Sequence, residues 1–292
     1  MKKILITGAN SYIGTSFEDY LTSFGEEYTV DTVDMTSPSW REKSFGGYDT
    51  VFHVAGIAHS DNGKLTEEKK ALYYAVNTDL TVETAKKAKA DGAKQFIFMS
   101  SAIVYGDSAP IGKEKHITPE TPLTPANSYG DSKVQAEKGI LPLQDESFNV
   151  VVLRPPMIYG KGSKGNYPFL SKIARKIPLF PYVNNQRSMI YVENFCEFVR
   201  LMVDNCENGI FWPQNSEYVN TCNMVQTIAS VHGKRVVAVK GFGWALKVLS
   251  LFTGLVNKAF GSLTYDMEMS RYKTEYRKFS FAQSIEKTEE HR

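Results

Sequence analysis

The chain has 292 residues, of which 42% are hydrophobic, 23% charged and 12% aromatic, the composition of an ordinary globular protein. This composition excludes disordered and low-complexity fibrous proteins. We expect one large domain, or a large one with a small appendage, because single cores stop growing at roughly 250–300 residues. The 34 Lys and Arg against 32 Asp and Glu leave a net charge of +2, so we do not expect nucleic-acid binding.

The N-terminus carries two lysines before an apolar run of about four residues, shorter than the roughly 7–15 residues of a signal-peptide core. The three cysteines, Cys196, Cys206 and Cys222, form no C-x-x-C pair and have no nearby His at metal spacing. We therefore expect a cytoplasmic protein with reduced, buried cysteines and no metal site.

Strand-like and helix-like segments alternate through the first half of the chain. Short apolar runs predict strands at residues 4–6, 28–34, 50–54, 95–99 and 150–153, and amphipathic stretches predict helices at 12–24, 66–90 and 129–138. Alternation of buried strands with helices predicts an α/β fold with a doubly wound parallel sheet.

After Pro156 the pattern changes to a predicted loop over residues 159–187, followed by one strand and helix (188–203) and a mixed α/β tail. We predict a first domain of residues 1–159 plus 187–212, and a small discontinuous domain of residues 160–186 plus 213–292. The apolar stretch 242–260 is too broken by Lys247, Asn257 and Lys258 to span a membrane. It predicts a buried helix, with an interfacial or oligomer contact as the alternative.

The turn after the first strand has the pattern that binds a diphosphate. Gly8 permits a tight turn, and Gly14 permits close packing of the following helix, whose free N–H groups and dipole favour an anion. Asp34, twenty residues further on, is placed to accept hydrogen bonds from an adenosine ribose and to repel a 2′-phosphate, which favours NAD over NADP. Asp31 is the alternative.

Tyr129 and Lys133 stand four residues apart at the start of a predicted helix, so both side chains lie on one face. A neighbouring ammonium favours phenolate and is expected to lower the pKa of Tyr129, which allows the phenol to move protons. Ser100 and Ser101 follow the fourth strand and bring hydroxyls to its carboxyl end.

Seven ordered motifs resemble the extended short-chain dehydrogenase/reductase family, in its NAD-dependent nucleotide-sugar epimerase and dehydratase branch. They are TGANSYIG (7–14), VFHVAG (51–56), Asn77, SSAIVYG (100–106), YGDSK (129–133), LRPPMIYG (153–160) and RSMIYVEN (187–194). The resemblance implies a Rossmann sheet with a small C-terminal substrate domain, an NAD cofactor and a homodimer. The dimer would be formed by the helices at 77–89 and 129–137.

The resemblance also assigns roles to individual residues. Ser101, Tyr129 and Lys133 are the expected catalytic residues: Ser101 bonds the reacting sugar hydroxyl, Tyr129 is the acid/base, and Lys133 binds the nicotinamide ribose. Tyr129 and Lys133 are also expected to bind the cofactor. The other expected cofactor-binding residues are Gly8, Asn10, Ser11, Tyr12, Ile13, Gly14, Asp34, Val54, Ala55, Gly56, Asn77, Ser100 and Pro156. The expected substrate-binding residues are Ser101, Ala102, Tyr129, Asn166 and Arg187, with Arg187 on the substrate diphosphate.

Several positions depart from the family pattern. Ser11 replaces the middle glycine of the phosphate turn, which affects the approach of the backbone to the pyrophosphate. Ala102 and Ile103 stand where 4,6-dehydratases carry an Asp-Glu pair, so dehydration lacks its acid and base. Met157 stands where galactose epimerases carry Asn, and the Cys and His of 3,5-epimerising relatives are missing.

These observations lead to an NAD-dependent oxidoreductase acting at C4 of a nucleoside-diphosphate sugar, as a 4-epimerase or 4-ketoreductase. Two alternatives stay open: an NAD(P)-dependent reductase of a non-sugar carbonyl, and a non-catalytic NAD-sensing binding protein. The intact Ser101, Tyr129 and Lys133 argue against the second alternative.

Overall fold

The structure is a computed structural model that describes residues 1–58, 66–243, 246–247 and 254–290. Its contacts divide the chain into two compact units. Unit 1 comprises Met1–Gly106, Pro122–Pro155 and Cys196–Pro213, and unit 2 comprises Asp107–Thr121, Pro156–Phe195 and Gln214–Arg292. Residues 107–121, 156–159 and 187–195 belong to the predicted first domain, but they lie in unit 2. The reason is that short strands within them pair with other strands of that unit.

The elements of the first half of the chain are β1 (Lys2–Thr7), α1 (Tyr12–Thr22), β2 (Tyr28–Val33), β3 (Thr50–His53), α2 (Glu67–Tyr74), α3 (Leu80–Ala90), β4 (Gln95–Met99), β5 (His116–Ile117) and α4 (Ser128–Ile140). Those of the second half are β6 (Asn149–Leu153), β7 (Met157–Tyr159), α5 (Asn166–Ala174), β8 (Leu179–Pro181), β9 (Met189–Tyr191), α6 (Val192–Asp204), β10 (Gly209–Phe211), α7 (Thr221–Val231), β11 (Val237–Val239), α8 (Gly254–Phe260), β12 (Thr264–Tyr265) and α9 (Phe281–Glu289). A π-helical turn, Ala75–Asp79, joins α2 to α3.

Unit 1 is built on a six-stranded sheet in the order β10-β6-β4-β3-β1-β2, in which every pair is parallel. This confirms the predicted doubly wound parallel sheet. The carboxyl ends of β1, β3 and β4 therefore lie side by side at one edge, where such sheets bind ligands.

Both faces of the central strands β3, β4 and β6 are covered, which explains why these strands are largely apolar and buried, whereas the edge strand β2 carries polar, exposed residues. On one face, Leu5 and Phe96 belong to a core that includes Ala85 of α3 and Ala136 of α4. On the other face, Phe52 meets Phe17 of α1 edge-on, with ring centroids 5.3 Å apart. The helices are thereby fixed against the strands whose ends carry the candidate site.

The described residues of unit 2 form three two-stranded parallel pairs, β5–β12, β7–β9 and β8–β11. The predicted loop 159–187 is wrong in part, since it holds helix α5 and strand β8. Its glycines and lysines suggest a loop, but Tyr167, Leu170 and Ala174 recur at helical spacing and are buried. The buried carboxylate of Glu289 on α9 accepts hydrogen bonds from Tyr167, Ser171 and His232, which ties α9 to α5 and to the end of α7.

The three cysteines are free; Cys196 and Cys222 are buried, whereas Cys206 is only half-buried, contrary to expectation. Of the apolar stretch 242–260, residues 244–245 and 248–253 lie outside the described residues, and the described Val256 and Phe260 are buried. Within the described part of the chain, no helix is long and apolar enough to cross a membrane.

Candidate active site

The turn between β1 and α1 folds as a tight, glycine-dependent loop. Gly8 has φ +102°, and a Cβ at this position would lie 2.7 Å from the backbone N of Ala55, so only glycine fits. Asn10 adopts the left-handed conformation with φ 64°. The backbone N of Gly8 donates to the carbonyl of Val33 at 2.9 Å, which places the turn beside the end of β2.

Ser11, the departure from the family glycine, is the N-cap of α1. Its Oγ accepts a hydrogen bond from the backbone N of Gly14 at 3.1 Å. The Ser11 side chain therefore already accepts a hydrogen bond from one of the N–H groups that a helix N-terminus can otherwise donate to an anion. Tyr12 and Ile13 form the first turn of α1 and are half-buried.

Asp34 follows directly after β2 and is exposed. Its carboxylate accepts hydrogen bonds from the backbone N of Thr36 at 2.9 Å and from the Thr36 hydroxyl, and the backbone bond is the main reason why its pKa is lowered. Asp34 is thus ionised and next to the phosphate turn. The alternative, Asp31, lies within β2 and accepts a hydrogen bond from the Tyr48 hydroxyl at 2.7 Å.

The segment after β3 is held by Asn77, which lies buried at the centre of the π-helical turn. The Asn77 amide bonds both backbone groups of Ile57, accepting from N at 2.9 Å and donating to O at 3.1 Å. It also donates to the Ser132 hydroxyl at 3.1 Å. Asn77 therefore links Ile57, which directly follows Val54–Gly56, to Ser132 on α4, and so holds this segment in position relative to that helix. π-Turns of this kind are frequent at functional sites.

Gly56 leaves space for the ammonium of Lys133: a Cβ on Gly56 would lie 3.0 Å from Asn77 Oδ1 and 3.3 Å from Lys133 Nζ. Lys133 is 5% exposed, and its Nζ donates to the carbonyl of Met99 at 2.8 Å. Nζ also lies 4.7 Å from the centroid of the Phe98 ring. Burial lowers the pKa of Lys133 to about 8, an effect that the charge of Glu137 opposes.

Tyr129 stands in the first turn of α4, which begins where Asn127 caps the backbone N of Gly130 at 2.9 Å. Its hydroxyl is hydrogen-bonded to Ser101. Burial raises the pKa of Tyr129, and the bond to Ser101 only partly offsets this. The expectation that Lys133 lowers this pKa is wrong in this structure, because desolvation of the phenol is the dominant effect.

Ser101 is positioned by a short 3₁₀ helix, Ala102–Tyr105, of which it is the N-cap. Its Oγ accepts from the backbone N of Ile103 at 3.3 Å, and the backbone N of Ala102 donates to the carbonyl of Pro155 at 2.9 Å. The predicted serine, tyrosine and lysine therefore lie together in unit 1, on the end of β4 and the start of α4. Such a set can pass a proton to or from a substrate oxygen.

Sequence reasoning missed a buried ionic network behind these residues. Glu137, four residues after Lys133 on α4, accepts hydrogen bonds from both Nε and Nη2 of Arg154, at 3.1 and 2.6 Å. Glu137 also accepts from Ser100, and Arg154 donates to the Tyr105 hydroxyl at 2.8 Å. The i, i+4 spacing of Lys133 and Glu137 is the signal that could have indicated it. The network anchors both serine-bearing and tyrosine-bearing segments to the end of β6.

In unit 2, Arg187 and Asn166 line one cavity, together with Met157, Leu170, Met189, Val219, Thr221, Met224 and Ala259. Arg187 is held by backbone bonds with Val219 in both directions, at 3.0 and 2.9 Å. Burial lowers the pKa of Arg187 to about 10, so it stays charged at neutral pH. Pro156, the remaining predicted cofactor residue, is buried next to β7.

The residues of unit 1 fit a dinucleotide: a turn that only glycine can form, an exposed ionised carboxylate at the end of β2, and a buried lysine beside a glycine. In the part of the chain that the structure covers, no group of His, Cys, Asp and Glu side chains could hold a metal ion.

Comparison with known proteins agrees with this geometry. A family model described as "NAD dependent epimerase/dehydratase family" matches residues 4–211. A UDP-glucose 4-epimerase of Vibrio cholerae is 28% identical and covers 92% of this chain and 89% of its own. An Escherichia coli O157:H7 protein named N-acetyl-alpha-D-glucosaminyl-diphospho-ditrans,octacis-undecaprenol 4-epimerase is 29% identical, over 78% of this chain and 71% of its own.

Among solved structures, a UDP-glucuronic acid 4-epimerase from Bacillus cereus in complex with NAD superposes with a TM-score of 0.73. The match covers 99% of this chain and 98% of that one at 15% identity, so it shows that the two chains share a fold. The predicted family resemblance, fold class and NAD cofactor are confirmed by these comparisons.

Proposed function

Because the chain belongs to the NAD dependent epimerase/dehydratase family, we propose that it transfers a hydride between NAD and C4 of a nucleoside-diphosphate sugar, as a 4-epimerase or 4-ketoreductase. The observation that carries the proposal is the grouping of Ser101, Tyr129 and Lys133 at the end of β4 and the start of α4. The Vibrio and Escherichia relatives are both named as 4-epimerases, which supports C4 as the position of the reaction.

In this proposal Tyr129 exchanges a proton with the oxygen on C4, and Ser101 bonds the same oxygen. Bound NAD supplies the acceptor or donor of the hydride. Since burial raises the pKa of Tyr129, the resting phenol is neutral at pH 7 and is ready to donate its proton to a C4 carbonyl oxygen. Oxidation of a C4 alcohol requires the reverse transfer, for which the hydrogen bond with Ser101 favours the phenolate, because this bond lowers the pKa of Tyr129 against the effect of burial.

The surroundings of Ser101 argue against removal of water from the sugar. Ala102 and Ile103 begin the 3₁₀ helix that follows Ser101, and neither side chain carries an acid or a base. A dehydratase needs both groups at that place, as the family pattern implies. The proposed chemistry is therefore limited to transfer of hydride and proton at one carbon.

Arg187 is proposed to bind the substrate diphosphate, with Asn166 beside it in the unit 2 cavity. A guanidinium binds a phosphate through two parallel hydrogen bonds, and low local exposure strengthens them. Met157 lines the same cavity, so its replacement of the asparagine found in galactose epimerases bears directly on which sugar nucleotide is accepted.

The proposal is tested by incubating the purified protein and NAD with UDP-, dTDP- and GDP-linked hexoses, while NADH absorbance and sugar epimers are followed. We expect turnover of at least one of them, and turnover about 10²–10⁴-fold slower with Tyr129→Phe. Turnover of steroid-like or flavonoid-like ketones without any nucleotide sugar would favour the carbonyl-reductase alternative. NAD binding without any turnover would favour the NAD-sensing alternative.

A homodimer formed by the helices at 77–89 and 129–137, and a cytoplasmic location, accompany this proposal on sequence grounds. Both segments lie in unit 1, where α4 packs against the π-helical turn and α3. Light scattering at micromolar concentration tests the assembly: twice the chain mass of 32.8 kDa is expected, and a monomer would contradict it.

A further inference from the structure

The near-neutral charge of the chain hides a strong asymmetry between its two units. Unit 2 contains 19 Lys and Arg against 11 Asp and Glu, a formal charge of +8, whereas unit 1 contains 15 against 21, a charge of −6. Two stretches of unit 2, residues 161–192 and 218–265, hold 11 basic residues and no acidic one. A protein whose charge is divided in this way presents a basic surface to an anionic partner.

The same two stretches carry most of the exposed large apolar side chains of the described residues. Of six such side chains, four lie in them: Phe169, Leu179, Val237 and Phe242. Isolated exposed apolar residues are ordinary, but their concentration in acid-free, lysine-rich segments is not.

The pair Leu179 and Val237 shows how the sequence builds this surface. They are direct register partners in the β8–β11 pair and are 57% and 48% exposed. Because side chains alternate along a strand, the partners two residues further on, Pro181 and Val239, point to the same side. One side of this small sheet is thus entirely apolar and partly open to solvent.

The opposite side of β8 is part of the unit 2 core. Phe180 is 5% exposed and stacks on Phe260 of α8, with ring centroids 5.5 Å apart. The outward direction of Leu179 and Val237 is therefore fixed by the packing of Phe180, so the two cannot turn inward without losing that contact.

Exposed basic residues precede each of the two strands in the chain. Lys172 and Lys176 precede β8 and are exposed, and Lys234 and Arg235 precede β11 and are exposed. The Nζ of Lys234 donates to the carbonyl of Arg175, which ties the two basic segments together. We name the surface formed by Leu179, Pro181, Val237 and Val239, with these flanking basic residues, the β8–β11 face.

We propose that the β8–β11 face docks onto an anionic lipid membrane, with the apolar side chains entering the headgroup region and the basic ones contacting lipid phosphates. Nucleic acid also attracts basic surfaces, but it offers no apolar phase for exposed Leu and Val, so the lipid surface fits both features. The proposal is independent of the proposed function, because it uses none of the residues assigned to catalysis or substrate binding.

The first test is cosedimentation of the 292-residue chain with vesicles of phosphatidylcholine containing about one third phosphatidylglycerol, and with vesicles of phosphatidylcholine alone. We expect binding to the anionic vesicles that weakens as salt increases, and little binding to the neutral ones. Each basic side chain near an anionic surface contributes roughly fivefold to the partition, so Lys172→Glu with Lys176→Glu should lower it about 25-fold or more.

Matched variants separate this face from general effects of charge and hydrophobicity. Lys3→Glu with Lys86→Glu changes two exposed lysines of unit 1 by the same charge and should leave the partition within about threefold. Leu179→Ser with Val237→Ser should lower it roughly tenfold, whereas Leu72→Ser, at an exposed apolar residue of unit 1, should not. Circular dichroism melting confirms that each variant is folded.

The proposal is overturned if the parent protein does not bind anionic vesicles, or if the control variants lose as much binding as the β8–β11 variants. It is also overturned if single-stranded RNA binds more tightly than the vesicles and Leu179→Ser with Val237→Ser leaves vesicle binding unchanged, since the surface is then a polyanion site. Loss of vesicle binding with sugar turnover intact would leave the proposed function standing.

Discussion

Replacing Lys133 by Met is expected to stabilise the protein while abolishing its activity. Burial lowers the pKa of Lys133 from 10.5 to about 8, so the folded protein at pH 7 keeps an ammonium in surroundings that disfavour it. The difference of roughly 2.5 between the ordinary and the folded pKa of Lys133 means that burial of its ammonium lowers the free energy of unfolding at pH 7 by about 3 kcal/mol. Methionine has a similar length and removes this cost, but the carbonyl of Met99 loses its donor, which costs about 1–2 kcal/mol.

The net expectation is a gain of about 1–2 kcal/mol in the free energy of unfolding at pH 7. The gain depends on pH in a defined direction. Because the folded pKa lies below the unfolded one, the unfolded chain binds more protons between pH 8 and 10.5. The parent protein therefore gains stability relative to the variant as pH rises through this window, and the advantage of Lys133→Met shrinks there.

Urea unfolding at pH 7 and at about pH 9.5 measures both quantities, with NAD affinity and turnover measured alongside. Lys138→Met is the matched control, since Lys138 is exposed on the same helix and should change stability by less than about 0.5 kcal/mol. Turnover of Lys133→Met should be lost together with weaker NAD binding. A variant that is less stable than the parent at pH 7, or a stability difference that does not change with pH, would refute the reasoning.

Three further expectations concern the turn and the active site. Tyr129→Phe keeps the ring, so NAD binding should persist while turnover falls about 10²–10⁴-fold; near-full turnover on the true substrate would show that Tyr129 is not the acid/base. Asp34→Ala should narrow the preference for NAD over NADP in titrations of both cofactors, and equal affinities of the parent protein would contradict the role of Asp34. Gly8→Ala should lower the melting temperature strongly, since the new Cβ would lie 2.7 Å from the backbone N of Ala55. Gly25 also has a positive φ but open space around it, so Gly25→Ala should lower the free energy of unfolding by only about 1 kcal/mol. Equal effects of the two substitutions would show that the close approach at Gly8 is unimportant.

The sequence by itself determined the parallel sheet and the grouping of the site. Continuous apolar strands alternating with amphipathic helices dictate a sheet covered on both faces, and the carboxyl ends of its strands then bring the turn at Gly8 and the serines after β4 to one edge. The spacing of Tyr129 and Lys133 places them together on α4 for the same local reason. These features follow from the periodicity of apolar residues and from chain order, both of which can be read directly from the sequence.

Only the tertiary structure decided the electrostatics. Whether burial or a neighbouring charge sets the pKa of Tyr129 depends on the surroundings that packing creates, and burial dominates here. The buried pair of Glu137 and Arg154 joins residues 17 apart in the chain. The spacing of Lys133 and Glu137 places both on one face of α4, but it does not indicate that Arg154 is the partner of Glu137. The apolar side of the β8–β11 pair likewise appears only when two strands nearly sixty residues apart are set in register and Phe180 is turned inward. Burial and long-range pairing are properties of the folded chain, because they depend on which surfaces meet.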